Sequence, residues 1–337
     1  MSALLEIRDL WVTYQVRSGL QLRRRPFHAV KGASLSIQPG QTLGIVGESG
    51  SGKSSLANAV LGLVPASSGS IHFDGQDLAT MKTHYPEVVR EQIQAVFQDP
   101  FSSLNPSMTV EQIVGEPLRV HTTMSREERR ARVVELLELV SLSAEHLHRH
   151  PHQFSGGQRQ RIAIASALAL TPKLIVLDEP VSALDVSTQN QIINLLYERR
   201  DALGIAYLLI AHDLALVHHI SERIAVMYLG HVVEEGPSDR VYHAPAHPYT
   251  KVLLEAVPLL DPAAQRARRA ARKAAPIIDA PREVSVGCPY KNRCPLVMDR
   301  CRSEMPPAYP VEGGGVANCF LHAGAEQGKG RMEIAAG

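Results

Sequence analysis

The stretch that most constrains this chain is Leu43–Ser54, LGIVGESGSGKS. It opens as an apolar run of the buried-strand kind, passes into a glycine-rich loop, and reads as a helix from about Lys53. The spacing fits G-x-x-x-x-G-K-S/T, with Gly47, Gly52, Lys53 and Ser54 at the fixed positions. Glycines let the backbone curl so that several N–H groups point at one phosphate. The helix start adds the positive end of its dipole. Lys53 is the residue to reach β and γ phosphates, and the Ser54 hydroxyl the one to hold Mg²⁺. Glu48, Ser49, Gly50, Ser51 and Ser55 complete the set of phosphate-loop candidates. The ordinary alternative is a plain glycine turn before a helix, and the strand leading in argues against it.

Length and composition set outer bounds. A chain of 337 residues, 45% hydrophobic and 20% charged, has an ordinary globular composition and room for one large or two ordinary domains. A net charge of +1 argues for no strongly acidic or basic partner for the chain as a whole. The N-terminus shows no basic region followed by a long apolar core, so no signal peptide is expected. The longest apolar candidate for a membrane span, Ile162–Leu177, is interrupted by Pro172 and Lys173. A soluble chain is expected, with any membrane role supplied by other subunits.

Leu4–Tyr14 alternates like a strand. Tyr14 at its end offers a face for a nucleotide base, or serves as an edge tyrosine. Arg17–Phe27 reads as a solvated loop carrying Arg23, Arg24 and Arg25. Ala33–Ile37 and Thr42–Val46 read as strands joined at Pro39-Gly40, and Ser70–Phe73 with Asp74-Gly75 as a hairpin. Gln92–Phe97 is an apolar strand ending at Gln98. A polar side chain at a strand's carboxyl end is where open α/β sheets meet ligands. Gln98 suits Mg²⁺ and the attacking water, or a simple strand cap. Asp99–Pro117, with three prolines, reads as loop. Ser125 and Glu128 form a capping box for a helix to about Val140. His146, His148, His150 and His152 alternate in a loop without nearby Cys, a weak metal pattern.

Phe154–Gln158, FSGGQ, is a second glycine turn before a helix, with Ser155, Gly156, Gly157 and Gln158 as anion-binding candidates. Lys173–Asp178, KLIVLD, is a continuous apolar strand of the doubly buried kind. It ends in paired carboxylates. Asp178 suits a Mg²⁺ ligand through water, and Glu179 a base or positioner for the attacking water. An acidic helix cap is the plainer reading. SALD (Ser182–Asp185) and a helix to about Leu203 follow. Ile205–Ile210 is a further buried strand before His212, a donor to a γ-phosphate oxygen or a structural histidine. Ile224–Leu229 and His231–Glu235 read as a closing hairpin.

Tyr14, GESGSGKS, Gln98, FSGGQ, LIVLDEP, SALD and His212 stand in one order, and in that order the chain resembles an ATP-binding subunit of an ABC transporter, over about Leu4–Pro258. The resemblance implies an α/β fold: a P-loop (RecA-like) ABC ATPase core with an antiparallel β subdomain and an α-helical subdomain (about 99–170), plus a Cys-rich C-terminal extension. By domain, residues 1–258 would be the nucleotide-binding domain and 259–337 linker and extension. It also implies that FSGGQ reaches the ATP of a facing subunit, so that two chains sandwich two ATPs. The helical subdomain would dock on membrane subunits. VFQDPFSSLNPSMTV, AHPYTKVLLEAVP and the Cys-rich tail resemble the ATPases of oligopeptide and dipeptide importers. Importers of nickel and other small solutes share these features. The partners so implied are two transmembrane permease subunits, a second ABC ATPase (a paralogue before a second copy), and an extracytoplasmic peptide-binding protein. The placement is the cytoplasmic face of the cell membrane. A nucleic-acid partner is not expected: the chain has no sustained heptads of the long coiled coil in DNA-acting relatives, and a single phosphate loop where ribosome-associated factors carry two.

After Leu259 the composition shifts to a basic, Ala-rich linker, DPAAQRARRAARKAAP. All four cysteines then appear as Cys288, Cys294, Cys301 and Cys319, spaced C-x₅-C-x₆-C-x₁₇-C. Four thiolates close a Zn²⁺ site or hold a 4Fe–4S cluster, and free thiols are the third reading. The resemblance to peptide-importer ATPases implies the cluster.

Overall fold

The computed structural model describes residues 3–17, 24–78, 85–99, 103–256, 266 and 286–324. The chain divides into two units: Met1–Thr13, Ser34–Leu43 and Ser54–Ala211 in the first, Tyr14–Ala33, Gly44–Lys53 and His212–Gly337 in the second.

In the first unit the most apolar runs become parallel strands. β6 (Ile93–Val96), β7 (Leu174–Asp178) and β8 (Ala206–Ala211) pair in register, Ile93 opposite Leu174 and Leu174 opposite Ala206. Every residue of β8, and all of β7 but Asp178, is buried. That is why neither alternates. Tyr207 N–H donates to Gln41 O at 2.9 Å beside β3 (Thr42–Val46). β1 (Leu5–Arg17) pairs antiparallel with β4 (Ser68–Phe73), and β4 with β5 (Gln76–Asp77), in the order β2-β1-β4-β5, where β2 is Arg24–Ile37. β1 and β2 therefore run into the segment expected as loop. The tip of that loop, and the linker after Leu259 except Arg266, lie outside the described residues.

Helix α1 (Lys53–Val60) follows the glycine loop, and α2 (Glu87–Gln92) precedes β6. The loop expected over Asp99–Pro117 is partly a helix, α3 (Val110–His121), with Pro117 inside it. Thr109 and Gln112 cap it reciprocally. Pro117 has no N–H for the Ile113 carbonyl four residues back. Ser166 Oγ donates to that carbonyl instead, at 3.4 Å, from α5 (Gly156–Leu168). Helix α4 (Arg126–Leu139) starts at the Ser125–Glu128 capping box and buries Val133, Leu136 and Leu137. α6 (Val186–Leu203) begins at the Asp185 N-cap and ends at Gly204 in the left-handed conformation.

In the second unit β9 (Arg223–Tyr228) and β10 (His231–Pro237) form an antiparallel hairpin, extended by β12 (Val316–Ala317) and β11 (Tyr309–Pro310) in the order β9-β10-β12-β11. Helices α7 (Leu214–Ile220), α8 (Ser238–His243) and α9 (Pro248–Ala256) follow, and the cysteine segment adds the short α10 (Arg300–Ser303).

Candidate active site

The glycine loop lies in the second unit up to Lys53. A Cβ on Gly47 would sit 2.2 Å from Met227 O, and one on Gly52 2.2 Å from Ala29 O. Neighbouring backbone occupies that space, so no side chain fits. Lys53 is 5% exposed, and its Nζ donates to Gly47 O at 2.8 Å and Glu48 O at 3.1 Å. The ammonium is thus aimed by the loop it belongs to. Glu48, Ser49 and Gly50 form an exposed lip, while the Ser51 hydroxyl is buried without a hydrogen-bond partner. Ser54, the next residue after Lys53, opens the first unit's share, and Ser55 follows on α1.

The first unit brings four expected residues together. Ser54 Oγ donates to Asp178 Oδ1 at 3.2 Å, and Gln98 Nε2 donates to Glu179 Oε2 at 2.8 Å. Glu179 sits at φ +49°, beyond the end of β7. A non-glycine residue there costs about 1–3 kcal/mol, strain that concentrates at functional sites. The surroundings hold it: its N–H donates to Ile210 O at 2.9 Å, and its carbonyl accepts from the Ser182 N–H at 3.3 Å and the Ser182 hydroxyl at 3.2 Å. Asp178 and Glu179 are therefore not a helix cap. That task falls to Asp185, whose carboxyl is held below the usual range by the Thr188 N–H and hydroxyl.

FSGGQ starts α5. The Ser155 hydroxyl accepts the Gln158 N–H at 3.3 Å, and Gln158 Oε1 accepts the Ser155 N–H at 3.1 Å. Gly156 and Gly157 form the first turn between them. In the second unit Tyr14 is half-buried on β1, and His212 is exposed just before α7. The alternating histidines disperse. His146 bonds to Ser143, His148 faces Arg130 and Glu111, and His150 stacks on His152.

Sequence reasoning missed a second group of residues, organised by Glu234 on β10. Fully buried, it pairs with the Arg240 guanidinium. It also accepts the Ala246 and His247 N–H groups, both at 2.8 Å, and the Thr250 hydroxyl at 2.6 Å. Burial, then the neighbouring His322, pushes His247 down to about 4. The ring is neutral at pH 7, and its Nδ1 accepts the Tyr249 N–H at 3.1 Å. This framework explains AHPYT: it sets Tyr249, whose hydroxyl accepts the Glu48 N–H at 2.8 Å.

The four cysteines are unpaired, and Cys288, Cys301 and Cys319 are buried. Burial pushes the Cys288 thiol up to about 11 and raises Cys294 and Cys319, and Cys301, Cys319 and Cys294 each raise Cys288 further by charge repulsion. The thiols therefore share one neighbourhood. Cys288, Cys294 and Cys319 each accept a hydrogen bond from the N–H two residues on, at Tyr290, Leu296 and Leu321. The Cys288 N–H donates to Cys301 O at 2.8 Å.

A glycine loop feeding a helix, and a buried parallel strand ending in two carboxylates next to Ser54 and Gln98, define a P-loop nucleotide hydrolase. The chain belongs to the ABC transporter family, and it is an ABC ATPase: it matches that family over residues 30–182, and the C-terminal region of oligopeptide/dipeptide transporters over residues 233–301. It is 48% identical to the oligopeptide transport ATP-binding protein OppF of Salmonella typhimurium (strain LT2), over 90% of this chain and 92% of that protein. It is 52% identical to the glutathione import ATP-binding protein GsiA of Escherichia coli (strain K12), over 79% of this chain but 43% of that protein. A dimeric ATP-binding cassette in a post-hydrolysis state with ADP and Pi superposes with TM-score 0.61 and 31% identity, over 69% of this chain and 98% of that one. The cbiO1 protein of Clostridium perfringens also superposes with TM-score 0.61 and 31% identity, over 72% of this chain and 92% of that one.

Proposed function

We propose that this chain is the ATP-hydrolysing subunit of an importer of di- or oligopeptides. The observation that carries the reading is that one chain joins the ATPase cassette to the oligopeptide/dipeptide C-terminal region. Identity to OppF over nine-tenths of both chains supports it.

In this reading Gly47–Ser54 bind the phosphates and Tyr14 stacks on the base. The orphaned Ser51 hydroxyl and the aimed Lys53 ammonium fit an anionic ligand. Ser54, Gln98 and Asp178 are the oxygen donors that would hold Mg²⁺, directly or through water, and a hard cation takes such donors. The ion would supply charge neutralisation on the phosphates. Glu179 orients the water and accepts its proton, with Gln98 holding the carboxylate in place. His212 stabilises the charge that develops on the terminal phosphate. Ser155, Gly156, Gly157 and Gln158 present α5 to the nucleotide of a second ATPase subunit.

No helix among the described residues is long and apolar enough to cross a membrane. In this reading, which rests on the likeness to peptide-importer ATP-binding proteins, the chain works at the membrane's inner face through permease subunits, with a solute-binding protein delivering the peptide outside. A groove of about 430 Å³ beside β6, α3 and α5, with Phe97 and Val120 exposed on it, suits a short permease helix.

The four-thiol site fits a 4Fe–4S cluster. Its thiols are unpaired and largely buried, and three receive backbone N–H groups of the kind that stabilise thiolate sulfur. Cys288, Cys294, Cys301 and Cys319 would ligate it, and its contribution would be structural. Protein purified without oxygen is expected to be brown and to carry about four irons per chain. Colourless protein with one zinc per chain overturns the cluster.

Reconstitution tests the function itself. Vesicles holding this chain, two permease subunits and a partner ATPase are expected to take up labelled peptide only when ATP is present on the chain's side. Equal uptake without ATP, or co-purification with ribosomes or DNA in place of permeases, refutes it.

A further inference from the structure

The cysteine-bearing extension reaches the phosphate loop within the second unit. Arg293 lies between Cys288 and Cys294 in the chain. It donates Nη1 to Glu48 Oε2 at 2.9 Å and Nη2 to Glu48 Oε1 at 3.1 Å. Two parallel bonds from one guanidinium to one carboxylate fix orientation as well as distance. The guanidinium also lies 5.9 Å from the Tyr228 ring centre and 5.8 Å from that of Tyr290. Tyr290 is the residue whose N–H bonds the Cys288 sulfur. One short segment thus carries two of the four thiols, the Tyr290 ring and the arginine.

Glu48 is gripped from every side. Its carboxylate meets Arg293, its N–H meets the Tyr249 hydroxyl, and its carbonyl accepts from Lys53. A shift of Glu48 would therefore move an anchor of the lysine that faces the phosphates. The pair itself is partly exposed, at 30% for Arg293 and 43% for Glu48. Partly exposed pairs contribute little beside the stability of a whole domain, with bidentate geometry towards the upper end of that small range. That makes conformational control of the loop the better account of its geometry, and it means that variants here will fold.

We propose that Arg293 is a positioning residue for the phosphate loop, through which the packing of the cysteine-bearing extension sets nucleotide affinity. The packed extension keeps Arg293 clamped on Glu48 and the loop curled for phosphate. Loosening the extension releases the clamp. The proposal rests on the reading of Gly47–Ser54 as the phosphate loop. Arg293 touches Glu48, not the phosphates, so it acts on binding rather than on chemistry.

The test is equilibrium titration of the full chain with fluorescent ATP, alongside steady-state kinetics in the assembled transporter. Arg293→Ala is expected to raise Kd and KM about five- to tenfold, the low end of measured site-to-site couplings, with kcat within about twofold. The charge-reversed pair Glu48→Arg with Arg293→Glu is expected to bind more tightly than either single variant. Cys288→Ser is expected to weaken binding in the parent but to add nothing in the Arg293→Ala background. Parental affinity in Arg293→Ala overturns the proposal. So does a charge-reversed pair no better than its singles, or a Cys288→Ser effect of equal size in both backgrounds. If instead Lys53→Ala binds ATP as tightly as the parent, the phosphate-loop reading itself fails, an outcome distinct from these.

Discussion

Glu179→Gln is expected to lower ATP turnover by about 10²–10⁴-fold while leaving ATP affinity within about twofold, because one positioned proton acceptor contributes that much. The substitution keeps the shape of the side chain and one oxygen. Gln98 Nε2, now 2.8 Å from Glu179 Oε2, retains an acceptor. What is lost is the basic carboxylate. The backbone at φ +49° is held by Ile210 and Ser182, not by the side chain, so the strand end will not relax. Phosphate release gives the rate, and titration with a slowly hydrolysed ATP analogue gives the affinity. A variant within tenfold of the parental rate would remove Glu179 from the proton path.

The second large effect falls outside the nucleotide residues. Glu234→Ala is expected to cost about 3–5 kcal/mol, the usual consequence of removing one partner from a buried ion pair. The Arg240 guanidinium would stay buried without its carboxylate, and the Ala246 N–H, His247 N–H and Thr250 hydroxyl would lose their acceptor together. Because this network sets Tyr249 against Glu48, ATP affinity is expected to fall as well. Urea unfolding of parent and variant measures the first effect. A loss below about 1 kcal/mol means that the network has rearranged around the gap.

These two cases show what was legible in the sequence. Glu179 was readable because a buried strand that ends in two carboxylates is a local pattern with a mechanism. The capping box at Ser125 was readable for the same reason: cap and partner are three residues apart. The reciprocal cap of Ser155 and Gln158 was not read, because the glycines between them drew the reading to anion binding. Glu234 was not. It sits in a hairpin strand, where an acidic residue ordinarily faces water, and its partners lie 6 to 16 residues on. Nor was Arg293, which is 245 residues from Glu48. No spacing rule joins residues that only the fold brings together. Helix α3 was obscured by Pro117, since a mid-helix proline argues for a loop unless something else satisfies the freed carbonyl. Ser166 does so from another helix, which sequence order conceals. The cysteine spacing left zinc, cluster and free thiols open, because it lacks the tight pairs that would single out one of them.

ATP hydrolysis by the chain assembled with its membrane subunits, parent beside Lys53→Ala, addresses the core of the mechanism most directly. The Lys53 ammonium is buried and tied to Gly47 O and Glu48 O, and in the proposed function it is the group that meets the phosphates. The variant is expected to fall below about 1% of the parental rate, in line with the loss of a preorganised charge at the transferring phosphoryl group. Hydrolysis at the parental rate would mean that phosphate is not held by this loop.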